Sequence, residues 1–328
     1  MIKNIIVVLL LSVGISTNAK ISHPSLIFTP EKIAVAKNQI NTDSVKAHAW
    51  RVILGQADAL LQKNDVSKLE YLALAFQMTN DKIYADKIIG ILQDVAKTES
   101  WANAEMMQRT PAWRSELQMA HRAYQLALAY DAVYCNMTNT QRKEIAKGLW
   151  RLAAEPLLGD WIIDDTRIHS LNSMGHNWWT ACVGMGGMLA LAISNEIFEA
   201  EDAVRNAIEH LPEWYDFAGD VIQHKPKTFD DNGGMYESIN YANFGIYEAL
   251  LLQLAWNNSH PSEKLEEISQ IKQVTDFFCN ACYPRTGALY SFGFGDSHID
   301  RTGERPITMA WALGYENSDA LWYLNQVE

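Results

Sequence analysis

Regular β alternation is almost missing from this sequence before residue 288, which excludes a β-sandwich or β-barrel over most of its length. Positive charge is also in short supply. Lys and Arg number 27 against 39 Asp and Glu, a formal net charge of -12. No broad basic patch is therefore available for phosphate backbones, and nucleic acid is excluded as the main partner. An acidic polysaccharide is not excluded, because a local cationic cleft can exist on an acidic protein. Cysteine is limited to four: Cys135, Cys182, Cys279 and Cys282. A single Cys279-Asn280-Ala281-Cys282, without a second pair or a histidine pair, does not make a zinc site. No metal and no other cofactor is expected. Cys279 and Cys282 read as reduced or disulfide-bonded residues at helix ends, Cys135 and Cys182 as small buried residues. The chain has no Walker loop, no G-x-S-x-G and no H-E-x-x-H, which argues against kinases, α/β-hydrolases and common zinc proteases.

The apolar run Ile5 to Val13 is too short to cross a bilayer. With Lys3 before it and Ser16-Thr17-Asn18-Ala19 after it, residues 1–19 read as a secretory signal peptide. No Cys follows the cleavage site, so a lipid membrane anchor is not expected. The protein is expected to be exported, to the periplasm or beyond. Residues 20–328 then form one large domain; 48% hydrophobic residues, 11 Trp and 13 Tyr suffice for a sizeable core and leave aromatics for a cleft. No sequence signal sets an oligomeric state.

Thr29 is a helix N-cap with Pro30 at the first helical position. From there the 3.6-residue period predicts helices over 31–41, 45–64, 67–78, 81–97, 114–135, 139–155, 174–195, 199–222, 238–257 and 262–282. Helices in series, with no repeat of about 34 residues, predict an all-α fold: an α/α toroid of helical hairpins around a central cleft. Trp101 to Pro111, Gly159 to Ser173 and Lys225 to Gly234 are expected to be long loops, which in compact domains are often functional. Tyr290 to Ser297 reads as a strand or turn before a last short helical region.

The stretch Asn172 to Ile193 organises the rest. It opens on Gly175-His176-Asn177-Trp178-Trp179 and continues as a small-residue helix containing Gly184, Gly186 and Gly187. Three glycines inside a helix each cost roughly 1 kcal/mol against alanine and are tolerated where another backbone packs closely. The polar end, with a His, an Asn and two Trp, is placed to face a cleft. A second stretch, Asp230-Asp231-Asn232-Gly233-Gly234-Met235-Tyr236-Glu237-Ser238-Ile239-Asn240-Tyr241, delivers a Tyr, a Glu and another Tyr to a helix start. Tyr236 and Tyr241 are five apart and would not share one helix face. Either is also an ordinary packing residue.

These residues resemble the heparinase II/III-like polysaccharide lyases and their alginate-lyase relatives. Four places carry the resemblance: His23-Pro24 to Pro30-Glu31; Arg114-Ser115-Glu116-Leu117 with Ala129-Tyr130-Asp131; His176 to Cys182; and Gly233 to Tyr241. They span most of the chain in the family's order, although the family's Glu-Gly-Pro is Glu237-Ser238-Ile239 here and its Tyr-Gly is Phe244-Gly245. The resemblance implies an N-terminal α/α toroid, incomplete here because the β-sandwich that follows it in the family is lacking. It implies β-elimination at a uronic acid. By the same resemblance Asn177, assisted by His176, is expected to neutralise the sugar carboxylate, and Tyr241, with Tyr236 as the second choice, to move the proton.

Substrate contacts are expected from Trp178 and Trp179 by stacking, although one of them suits the core, and from Arg114 and Glu237. Arg114 with Glu116 is equally a surface pair, and His121 reads as a packing histidine. Two other readings remain open. An α/α-barrel glycoside hydrolase acting on uronyl sugars would draw its carboxylates from Asp164, Asp165, Asp230, Asp231 and Glu237. A truncated, non-catalytic toroid would bind an acidic glycan without cleaving it.

Overall fold

A computed structural model describes residues 20–163, 176–220, 225–295, 297–298 and 302–327. The signal-peptide reading and the Asp164 and Asp165 candidates lie outside these residues. The described chain is mostly helical. In order it runs α1 (Pro30–Gln39), α2 (Ser44–Leu60), α3 (Leu69–Thr79), α4 (Lys82–Ala96), α5 (Leu117–Val133), α6 (Asn139–Leu149), α7 (Glu155–Leu158), α8 (Asn177–Ile193), α9 (Phe198–Asp216), α10 (Ile239–Ser259), α11 (Ser269–Asn280), α12 (Glu304–Ala312) and α13 (Ser318–Val327). Two antiparallel ribbons interrupt it, β1 (Ala218–Asp220) with β2 (Lys225–Lys227) and β3 (Cys282–Arg285) with β4 (Ala288–Ser291).

Local chemistry sets most helix starts. The Thr29 side chain accepts from Lys32 N ahead of Pro30. Asp43 and Asp81 cap α2 and α4, and Thr138 with Gln141 forms a capping box on α6; each satisfies amides the helix cannot. The starts of α5 and α11 fall later than the period predicts, because side chains take the amides first. Arg114 N and Ser115 N both donate to the Asp160 carboxylate at 2.7 Å, so α5 begins only at Leu117. Leu265 N donates to Asn257 Oδ1 and Ile268 N to the Tyr315 hydroxyl, and α11 begins at Ser269.

Of the loop expected over Gly159 to Ser173, the described part, Gly159 to Ile163, is helical instead. Helix continues through Ile163, because wide π-helical turns at Trp150–Ala154 and Gly159–Ile163 flank α7. An ordinary helix would set the Pro156 ring against a carbonyl one turn back; widened turns relieve that clash. Cys135 is exposed rather than buried, and all four cysteines are free thiols.

The core is organised as a row. α3, α5, α8, α10 and α12 pack side by side, each on the next. Behind them α4 packs on α3 and α5, α9 on α8 and α10, and α11 on α12. α8 lies mid-row, with every residue but Trp178 buried. Its glycines explain how closely it is gripped. A Cβ on Gly184 would stand 2.9 Å from the Glu248 carbonyl oxygen of α10, and one on Gly186 would stand 2.8 Å from Leu157 Cβ.

The first described residues tie the far ends of three row helices together. Asp131, at the end of α5, accepts from Ser25 N, Leu26 N and His23 Nδ1. Asn195, just past α8, pairs with both backbone groups of Ile21. Asn258, at the end of α10, donates to Leu26 O at 2.6 Å.

Candidate functional site

At the opposite ends of α8 and α10 the two singled-out stretches meet. His176 caps α8: its Nδ1 accepts from Trp178 N at 3.1 Å. A nitrogen that accepts carries no proton, so in the neutral ring the N–H sits on Nε2. That nitrogen lies 3.6 Å from Glu237 Oε1. Asn177, the first residue of α8, donates twice to the same carboxylate, from its backbone N to Oε2 at 2.9 Å and from Nδ2 to Oε1 at 2.7 Å. The Glu237 carboxylate thus closes the positive end of the α8 dipole.

The turn that brings Glu237 there is held by Asp230. Its Oδ1 accepts from Asn232 N at 2.8 Å and Gly234 N at 2.9 Å. Gly233 has φ +84° and its hydrogen faces the Gln273 carbonyl, where a Cβ would stand at 2.7 Å; only glycine fits that conformation and that space. Ser238 then caps α10 by accepting from Tyr241 N at 3.2 Å.

The expected site residues divide accordingly. His176, Asn177 and Glu237 are in direct contact. Tyr241 is half-buried in the first turn of α10. A Cβ on Gly245 would meet Thr180 Oγ1 at 3.1 Å, so one turn earlier Tyr241 lies level with Asn177. Tyr236 is exposed at 45% in the preceding turn. Trp178 is half-buried and packs edge-on against Trp113, whose face carries the Arg109 guanidinium at 4.5 Å.

Trp179 departs from its expected role. It is 1% exposed and stacks on Trp214 inside the core, leaving no face for a sugar. Arg114 is likewise engaged, with Asp160 at 3.0 Å and Glu155 at 2.6 Å rather than with Glu116. It fixes the start of α5 to the α7 region. Asp230 is spent on its own turn and Asp231 on Lys227.

A cavity of about 630 Å³ lies deeper along the row, lined by residues of α3, α5, α8, α10 and α12. Sequence reasoning passed over it. The α10 face that starts at Tyr241 continues through Phe244 to Tyr247 and Glu248, and the last three line the cavity. Glu248 is 7% exposed, and His121 from α5 approaches its Oε1 at 3.6 Å. Burial pushes the Glu248 carboxyl up against the pull of His121, and Glu248 raises the His121 imidazole against burial. The Tyr124 hydroxyl is pushed well up by burial, with Tyr247 and Glu70 beside it. His121 is an exposed cavity residue, not the packing histidine expected. The missed signal was a lone Glu in the apolar run of α10.

Among the described residues no group of three or more His, Cys, Asp or Glu is placed to hold a metal ion. None of their helices is long and apolar enough to cross a membrane. No family model matches the chain, and no curated protein matches it.

Proposed function

We propose that the chain is the α/α-toroid part of an exported polysaccharide lyase that opens uronate linkages by β-elimination. The observation that carries this reading is the bidentate grip on Glu237 by the Asn177 backbone and side chain, with His176 beside it. These donors already bind a carboxylate at a helix N-terminus, and a uronate offers the same group. The alternation of a front row and a second layer of helices supports a toroid.

In this reading the uronate carboxylate takes over the Asn177 amide from Glu237. Hydrogen bonds there draw charge off the carboxylate and make the C5 proton acidic enough to remove. Tyr241 takes that proton, the electron pair forms the C4–C5 double bond, the C4–O bond breaks, and the proton passes to the leaving oxygen. A free phenol has a pKa near ~10, so donors poised for the enolate-like state do most of the work. Trp178 lines the entrance.

The test adds oligouronates to the protein and follows the absorbance of unsaturated uronate. Asn177→Ala is expected to fold normally and to lower kcat more than it weakens binding, by ~2.7–4 kcal/mol in barrier. New reducing ends without that absorbance would refute elimination and support hydrolysis.

One observation favours a second reading, a domain that binds acidic glycans without cleaving them. The Asn177 donors are already satisfied by Glu237, so substrate must displace an internal carboxylate to reach them. Binding without turnover is its signature.

A further inference from the structure

We propose that the cavity within the helix row is a second saccharide subsite, which takes an anionic sugar unit through His121 and Arg305 and holds its hydroxyls on Glu70, Tyr124 and Glu248. This rests on the reading above only for the kind of polymer; the cavity's own chemistry argues the rest.

Its volume of about 630 Å³ falls within the ~300–1,000 Å³ of small-molecule sites. Its lining is mixed rather than apolar, with groups from five helices converging. Glu248 is more than nine-tenths buried and faces the cavity, yet its nearest basic group, His121 Nε2, stands 3.6 Å away, beyond hydrogen-bond length. A buried carboxylate held so loosely is costly unless something else completes it. A sugar hydroxyl placed between Glu248 and His121 would donate to one and accept from the other.

The cationic side of the cavity is also incomplete. Arg305 is exposed at the start of α12, and its guanidinium lies 5.8 Å from the centre of the Tyr247 ring. No ion pair to a carboxylate engages it among the described residues. With His121 it gives two donors for one sugar carboxylate. Tyr124 on α5 and Glu70 on α3 line the same cavity beside Tyr247 and suit hydroxyls, and the exposed Phe244 adds a ring face to its lining.

Continuity with Asn177 sets the order of the sugars. Tyr241, Phe244 and Glu248 follow one another up one face of α10, so a chain whose reacting uronate meets Asn177 and Tyr241 extends its next unit into the cavity.

The experiment is calorimetric titration of the mature protein with an alginate trisaccharide and with cellotriose, a neutral chain of equal length. The trisaccharide of uronates is expected to bind more tightly than cellotriose. Arg305→Gln and His121→Gln should each weaken it about tenfold or more, the size of a lost hydrogen bond to a charge. Arg305 is exposed, so its variant should keep the wild-type thermal midpoint. No binding, equal binding of both sugars, or unchanged affinity in both variants would overturn the inference. Cavity-dependent binding with no unsaturated product would uphold the subsite and overturn elimination. Product formation untouched by both cavity variants would do the reverse.

Discussion

Adding one methyl group at Gly184 sets helix propensity against helix packing. Alanine in place of a helical glycine favours the helix by roughly 1 kcal/mol. At Gly184 the new Cβ would stand 2.9 Å from the Glu248 carbonyl oxygen, a backbone atom that cannot swing aside. Relieving such a contact means moving α8 away from α10, and overpacking of this kind costs typically 1–3 kcal/mol. The net expectation is a loss of up to ~2 kcal/mol. Gly90 in α4 is the control, since its Cβ would meet nothing within 4 Å. Gly90→Ala should therefore gain about 1 kcal/mol. At ~2–4 °C per kcal/mol for a domain approaching this size, thermal unfolding followed by circular dichroism separates the two. Equal stabilisation by both substitutions would refute the close approach of α8 to α10. Gly184→Ala should also disturb the Asn177–Glu237 contact, because Asn177 opens α8 and Glu237 lies in the turn that leads into α10.

Three further outcomes are expected. Glu248 and His121 both bind protons more tightly in the folded chain than at their ordinary values of 4.5 and 6.5. Their contribution is therefore fullest below those values and is lost as pH rises through the raised ones. Thermal midpoints should fall from acid toward alkaline pH, less steeply in Glu248→Gln; an equally steep fall in the variant would contradict the assignment. Asp160→Asn should cost about 3 kcal/mol in denaturant melts, because the buried carboxylate holds Arg114 and two backbone amides; a loss well under 1 kcal/mol would count against that role. Tyr241→Phe should nearly abolish turnover while keeping affinity, and Tyr236→Phe should be milder. The opposite order would move the proton-transfer role to Tyr236.

Helix existence was legible in the sequence because it depends on a local period that α3, α4, α8 and α10 display. Boundaries failed where a distant side chain intervened: Asp160 delays α5 and Tyr315 delays α11, and neither lies near in sequence. The glycines of α8 announced a close neighbour without saying which. His176, Asn177 and Glu237 could be singled out one by one, yet their joint contact depends on how α8 sits against α10, 60 residues apart. The cavity was hidden for the same reason. Tyr124, His121, Glu248 and Arg305 each look unremarkable in their own helices and gain meaning only when five helices converge.

The N-terminal strap has a consequence for the order of folding. Residues 21–26 leave the ribosome early, but their partners Asp131, Asn195 and Asn258 come 106, 174 and 232 residues later. The strap can therefore be completed only once α10 has been made, when it joins three helix ends. Such late, long-range closure makes unfolding cooperative across the row. Proteolytic trimming of the first few described residues should loosen α5, α8 and α10 together, and through them the distant ends where Asn177 and Tyr241 stand.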